Sequence, residues 1–437
     1  MRVMLCTYGS RGDTEPYVAL ACALNAAGHE AILAAPSTYA GLAARHDVEF
    51  VARDAGLLNL IHDPRMRRQI EDGRATGPNP ALALEIRDRL FPAHLTGLLE
   101  AAADADLVVH RADHGHHIAE KFGVPSVLGL LNPHGVTSAY YPTVEALGTA
   151  APGRGHDGPS RENLRSHVRA RLRGEPASTR GCVERWRKQD LGLPPRAGMH
   201  DRFHQVDNRP VPVLHAFSRH LVESAPDWPP WVHSTGYWFL PTDSAAPSPS
   251  LVRFLDQGAA PVFFGLGSLV GTDPQRTGRM VVEAARRAGV RAVVVAGAGG
   301  IAIDNPPETD DVLVVDDVPY DWLFPRVRAA VHAGGLGTTH HALAAGLPQV
   351  ALPFHVEQMS WAAHLHARGV APPPIWQRDL STTALCTAVR ACLTDPGLTR
   401  AAQALGRNLR GEGGAAAAVE VLEATYGPRH RRTGEAA

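Results

Sequence analysis

The sequence predicts an α/β protein built from two doubly wound, parallel-sheet lobes. Three observations point there. The chain has 437 residues, too many for one ordinary domain and suited to two of about 200 each. Short β-rich runs alternate with helical patterns in both halves, which is how βαβ units read in sequence. Between the halves, Pro241-Thr242-Asp243-Ser244-Ala245-Ala246-Pro247-Ser248-Pro249-Ser250 has the composition of a linker.

Taken in order, Val3–Thr7 reads as a strand, Gly9–Asp13 as a polar glycine loop and Glu15–Ala27 as a helix, with Glu15 and Pro16 suited to its first turn. Glu30–Ala34, Asp106–His110 and Pro125–Leu130 repeat the strand pattern. Residues 150–212 are rich in Arg, Pro and Gly and read as variable loop and helix. Beyond the linker, strands are expected at Pro261–Phe264, Ala292–Ala296, Val312–Val315, Ala329–His332 and Gln349–Leu352, with helical spacers between them. Ala415–Thr425 reads as a last helix and Pro428–Ala437 as a frayed tail. The expected organisation is a first lobe over 1–240, a linker over 241–250, a second lobe over 251–410 and a terminal helix and tail over 411–437, with the two lobes around a central cleft.

Composition narrows the function classes. The chain is 44% hydrophobic and 20% charged, enough for two buried cores. With 43 basic against 44 acidic residues, it makes no electrostatic case for a nucleic-acid or membrane-surface partner. Any anion must be gripped locally. Five scattered cysteines without a C-x-x-C pair read as ordinary thiols in a reducing compartment. The apolar start is interrupted at Gly9, and no run reaches the ~20 apolar residues needed to cross a bilayer. The expectation is a cytoplasmic protein without a transmembrane anchor.

The most informative segment runs from Ala330 to Gly346, AVHAGGLGTTHHALAAG. An apolar strand enters a turn of His332, Gly334, Gly335 and Gly337, and a helix is expected from about Thr338. Glycines let the backbone approach a ligand, and the first N–H groups of a helix have no partner within it. Together with the positive end of the helix dipole they make a diphosphate cradle, to which His332 can add a donor. A second glycine turn, Gly265-Leu266-Gly267-Ser268-Leu269-Val270-Gly271, is spaced G-x-G-x-x-x-G. It lacks a strand-end acid ~20 residues on, because Glu283 falls in a helical pattern, so it argues poorly for a dinucleotide. A Ser268-bearing loop beside the same phosphate fits better.

These motifs resemble the bacterial antibiotic and sterol-type branch of the family 1 glycosyltransferases, over nearly the whole chain. Gly9-Ser10-Arg11-Gly12-Asp13-Thr14-Glu15-Pro16 is similar to that branch's G-S-R-G-D-x-x-P signature. Asp227-Trp228-Pro229-Pro230 and Thr235-Gly236-Tyr237-Trp238-Phe239 resemble its approach to the linker. Val318 to Pro325 and the His332 segment resemble its nucleotide-sugar motif, and Pro353-Phe354-His355-Val356-Glu357-Gln358 its sugar-contacting stretch.

The resemblance implies a GT-B fold, with the acceptor in the first lobe and a UDP- or dTDP-sugar donor in the second. It implies that His332, Gly334, Gly335, Gly337, Thr338 and Ser268 hold the diphosphate. Val318 and its backbone would meet the base, Glu357 and Gln358 would bond sugar hydroxyls, and Asp13 would be the catalytic base. No cofactor or metal is expected. Four positions depart from the pattern: Ala333 stands where a second His is usual, Leu336 replaces a small residue, Glu357 replaces the commoner Asp, and no tryptophan stands near Val318 to stack the base.

Glycosyl transfer needs the acceptor hydroxyl deprotonated as it attacks and the departing diphosphate stabilised. Asp13 can take the proton from a loop at a strand end, but Asp at this point also suits an N-cap of the following helix. His332, the helix N-terminus and Arg11 are the candidates for the leaving group. Such donors would let transfer to a small-molecule acceptor proceed with inversion and without a metal. Asp104-Ala105-Asp106 forms a D-x-D triplet, yet reads as the end of a helix and start of a strand. His114, His116 and His117 do not match an i, i+4 metal pair and read as lining an acceptor site or capping a helix. Two other classes stay open: an epimerase acting on the nucleotide sugar, and a non-catalytic helper of an active enzyme.

Overall fold

A computed structural model describes residues 1–71, 80–111, 113–149, 158–194, 202–205, 207–241, 247–267, 271–296, 299–303 and 311–427. It divides into two compact units: Met1–Leu60, Gly77–Pro241 and Glu412–Ala437 form the first, and Ile61–Thr76 and Thr242–Gly411 the second.

The first unit holds seven strands, β1 (Arg2–Cys6), β2 (Glu30–Pro36), β3 (Glu49–Arg53), β4 (Leu107–His110), β5 (Ser126–Leu130), β6 (Val213–His215) and β7 (Val232–Ser234). They lie in the order β3-β2-β1-β4-β5-β6-β7, every neighbouring pair parallel. The order reverses between β1 and β4, and in a doubly wound sheet ligands bind outside the carboxyl ends of the strands at that reversal. Met4, Cys6, Ile32, Ala34 and Val108 pack with Ile118 and Trp186 in one apolar cluster. Val3, Leu5, Leu33, Leu107 and Val109 are buried as well, so these strands read as continuous apolar runs.

The second unit holds β8 (Val262–Gly265), β9 (Ala292–Val295), β10 (Val312–Val315), β11 (Ala330–His332) and β12 (Gln349–Ala351), all parallel in the order β10-β9-β8-β11-β12. Here the reversal falls between β8 and β11. Alternate residues divide between two cores: Val262, Phe264, Val294, Val331 and Val350 in one, Phe263, Val293 and Ala330 in the other.

The five strands expected after the linker are all present within a residue or so of their expected bounds. Several other expectations are corrected. The first helix spans Arg11–Ala26 and not Glu15–Ala27, because Ser10 and Asp13 cap it reciprocally and start it earlier. The second-unit helix spans Leu336–Ala344, two residues earlier than expected, with Gly335 at its N-cap. The linker stretch ends in a helix, Pro249–Asp256, whose first turn is closed by Leu251 N–H donating to Ser248 Oγ at 3.3 Å.

The stretch 150–212 contains two helices of 13 residues, Arg161–Arg173 and Ala177–Gln189. Their periodicity is hidden by arginine-rich faces. The first is held by a Ser160 cap and by Glu162 pairing with Arg165 and Arg169. Strands β3, β6 and β7 were not expected; the last two have three residues each, too short for any period to register. The final helix spans Gly414–Tyr426 and belongs to the first unit, where Glu423 pairs with His29 at 3.0 Å. The tail 428–437 lies outside the described residues.

Candidate functional site

In the first unit, the chain leaves the carboxyl end of β1 through Gly9, at φ +144, and enters the Arg11–Ala26 helix. Asp13 occupies the first turn. Its Oδ2 accepts from Ser10 N–H at 2.7 Å and from Ser10 Oγ at 3.0 Å, while its main-chain oxygen accepts from Thr7 Oγ1 at 3.0 Å. Its Oδ1 pairs with Arg111 Nη2 at 2.9 Å. The capping task is therefore Asp13's, performed jointly with Ser10. The carboxylate is 22% exposed, at the point where the strand order reverses.

Sequence reasoning missed Arg111 and the platform beneath it. Arg111 follows β4 directly, and its Nη1 donates to Tyr8 O at 2.9 Å, which ties the β4 end to the β1 end. Below, the fully buried Arg53 at the end of β3 donates to Asp113 Oδ2 at 2.6 Å, to Thr7 O at 3.0 Å and to His94 O at 3.1 Å. Both terminal nitrogens of Arg53 are thus paired, and the Asp113 carboxylate keeps the buried guanidinium from standing as an uncompensated charge. The one sequence signal for Arg111 was its place just beyond a strand end beside β1.

In the second unit, His332 ends β11 and is 1% exposed. Its Nε2 lies 2.7 Å from Gln349 Oε1, and its Nδ1 accepts from Gly334 N–H at 2.9 Å. Burial pushes its pKa down to about 4. Both ring nitrogens are engaged within the protein. Gly334 has φ +82, and a Cβ there would stand 2.9 Å from Gln358 O, so the position is closed to other residues on two grounds. A Cβ at Gly335 would meet nothing within 4 Å. The first helical closure is Thr339 N–H to Gly335 O at 3.0 Å, so the N–H groups of Leu336, Gly337 and Thr338 precede it. Leu336 is buried, whereas Gly337 and Thr338 are partly exposed.

The remaining candidates are placed as follows. Arg11 is half exposed and pairs with Glu15 at 2.7 Å. Ser268 lies outside the described residues; the loop leading to it leaves β8 through Gly267, at φ +67. The Val318 side chain is buried in the core with Phe263, Leu323 and Phe324, which leaves only its main chain to meet a base. Gln358 is buried and its Oε1 accepts from Phe354 N–H at 2.8 Å, while Glu357 is half-buried in the first turn of the Val356–Ala367 helix. Ala333 belongs to the apolar core.

Asp106 Oδ2 accepts from Arg2 N–H at 2.9 Å at the amino end of the sheet, so the D-x-D triplet serves the strand start. His114 stands at the N-cap of the Gly115–Phe122 helix with φ +76, its Nε2 3.4 Å from Glu175 Oε2. Among the described residues no group of three or more His, Cys, Asp or Glu is arranged to hold a metal ion. No described helix is long and apolar enough to cross a membrane.

Residues 288–424 match the family model "Erythromycin biosynthesis protein CIII-like, C-terminal domain". The whole chain is 33% identical over 432 residues to the O-mycaminosyltylonolide 6-deoxyallosyltransferase of Streptomyces fradiae, covering 97% of each. The chain belongs to the antibiotic and sterol-type branch of the family 1 glycosyltransferases. Within that branch it is also 30% identical over 450 residues to a sterol 3-beta-glucosyltransferase of Cryptococcus neoformans; the match covers 97% of the chain but only 27% of that longer relative. A solved glycosyltransferase of Streptomyces sp. SF2575, complexed with thymidine diphosphate, superposes with a TM-score of 0.59 at 20% identity, over 97% of this chain and 99% of that one. The two doubly wound units are those of the GT-B fold.

Proposed function

We propose that this family 1 glycosyltransferase moves a sugar from UDP or dTDP to a hydroxyl of a small-molecule acceptor in natural-product biosynthesis, with inversion and without a divalent metal. The observation that carries the reading is the placement of both candidate groups. Asp13 stands at the β1/β4 reversal of one sheet, and the Gly334 turn at the β8/β11 reversal of the other. Asp13 takes the proton of the attacking hydroxyl. The main-chain N–H groups of Leu336, Gly337 and Thr338 and the helix dipole take the charge that develops on the leaving diphosphate. Direct displacement needs one base and no covalent carboxylate, and oriented N–H donors do the work a cation would otherwise do. The 6-deoxyallosyltransferase relative supports a natural-product acceptor, and the thymidine diphosphate of the solved neighbour supports a dTDP-type donor.

The test is a matrix of UDP- and dTDP-sugars against polyketide and sterol alcohols with the purified chain. Proton NMR of the product reads the anomeric configuration, and a chelator series reads metal need. Retained configuration, or activity lost to chelator and restored by magnesium, would overturn the mechanism. A sugar altered in the absence of any acceptor would overturn the transfer itself.

A further inference from the structure

We infer that Gln349 and His332 are positioning residues of the diphosphate cradle. The Gln349 amide fixes one tautomer of His332, and His332 holds the Gly334 N–H, so that main-chain N–H groups meet the phosphate and the imidazole does not. This rests on the reading that the Gly334 turn receives a nucleoside diphosphate.

The proton positions follow from the partners. Gln349 opens β12 and is fully buried; one end of its amide lies 3.3 Å from Thr339 O. A carbonyl oxygen only accepts, so that end is the NH2 group, and the other end, 2.7 Å from His332 Nε2, is the carbonyl oxygen. His332 must therefore carry its proton on Nε2. The facing group at Nδ1 is the Gly334 N–H at 2.9 Å, an obligate donor, so Nδ1 must be bare. Only the neutral Nε2–H ring satisfies both partners. An imidazolium would set two N–H groups against each other inside the protein, and burial already disfavours the charged ring.

The consequence is mechanical. The Gly334 N–H is spent on His332, which pins the backbone at φ +82. The other end of Gln349 pins the first turn of the Leu336–Ala344 helix through Thr339 O. One amide thus locks the strand end, the glycine turn and the helix start into one orientation. With both ring nitrogens committed, His332 has no N–H left to give a phosphate.

The experiment uses the full chain labelled with 15N-histidine and 15N-amides, and free UDP and dTDP as probes. Wild-type His332 is expected to show the Nε2–H tautomer from pH 5.5 to 8, unchanged when the diphosphate binds, while the amide signals of Leu336, Gly337 and Thr338 move. Gln349→Met, which keeps the volume and removes both hydrogen bonds, should weaken diphosphate binding at least 10-fold and leave nucleoside binding within 2-fold, because only the phosphate end loses its orientation. A His332 ring signal that couples to the bound phosphate, a bare Nε2, or wild-type diphosphate affinity in Gln349→Met would overturn the inference. The wild-type tautomer decides the matter even where the variant does not fold. If neither UDP nor dTDP binds the wild-type chain, it is the donor reading that fails, and the tautomer still tests the Gln349–His332 link.

Discussion

Replacing Gly9 with alanine should slow transfer by displacing the Asp13 carboxylate, although Gly9 itself has no side chain to meet substrate. At φ +144 an L side chain is strained by roughly 1–3 kcal/mol. The larger effect is a collision: the new Cβ would stand 2.2 Å from Asp13 Oδ2 and 2.6 Å from its Cγ, well inside van der Waals contact. The carboxylate must move by about 1 Å, which breaks its bonds to Ser10 N–H and Oγ, and charged hydrogen bonds of this kind contribute about 1.5–3 kcal/mol each. Partial relaxation leaves an expected destabilisation of about 2–4 kcal/mol. A base misplaced on that scale costs on the order of 100-fold in turnover. Gly28→Ala is the matched control, since Gly28 has φ +81 but its Cβ would meet nothing within 4 Å. It should show the strain alone and full activity. Initial rates and thermal midpoints of both variants make the comparison. Wild-type turnover in Gly9→Ala would mean that transfer does not depend on where the Asp13 carboxylate sits.

Three further outcomes are expected. Arg111→Met should lower turnover at least ~10-fold in the wild-type background and hardly at all beside Asp13→Asn, because the 2.9 Å pair makes the two residues act as a unit; equal losses in both backgrounds would separate Arg111 from Asp13. Gly334→Ala should weaken nucleoside diphosphate binding at least ~10-fold by calorimetry, since both its φ and the Gln358 oxygen exclude a Cβ; unchanged affinity would place the phosphate elsewhere. Stability should fall on acidification. His110 and His332 are depressed to about 4 and His215 and His340 to about 3 by burial, so each stays neutral in the fold while its unfolded counterpart gains a proton below about 6.5. Their contribution is complete above pH 6.5 and is lost as pH falls towards those depressed values, at about 1.4 kcal/mol per pH unit per histidine. Thermal midpoints from pH 7.5 to 5.5 check this, and a flat profile would contradict it.

The sequence by itself determined the two lobes, the parallel strands of the second one and the glycine turns at Gly9 and Gly334. These are local properties. Val312–Val315 or Ala330–His332 is a short apolar run that can hardly be anything but a buried parallel strand, and a glycine turn between strand and helix carries its own geometry. Tertiary structure alone decided how those turns are held. Asp13 could be read as a base or as a cap, and only the folded chain brings Arg111 to one of its oxygens and Ser10 to the other. His332 read as a phosphate donor, yet the pairing of β11 with β12 places Gln349 against its ring and spends both nitrogens. Arg53 and Asp113 carried no local signal at all, and they form an ion pair, its guanidinium fully buried, that also holds Thr7 O ahead of the Asp13 turn. The physical reason is common to all three. A motif records which backbone conformations and side chains are available at a turn. Which hydrogen-bonding capacity remains for a ligand depends on partners brought from other strands, and strand order, not sequence spacing, chooses those partners.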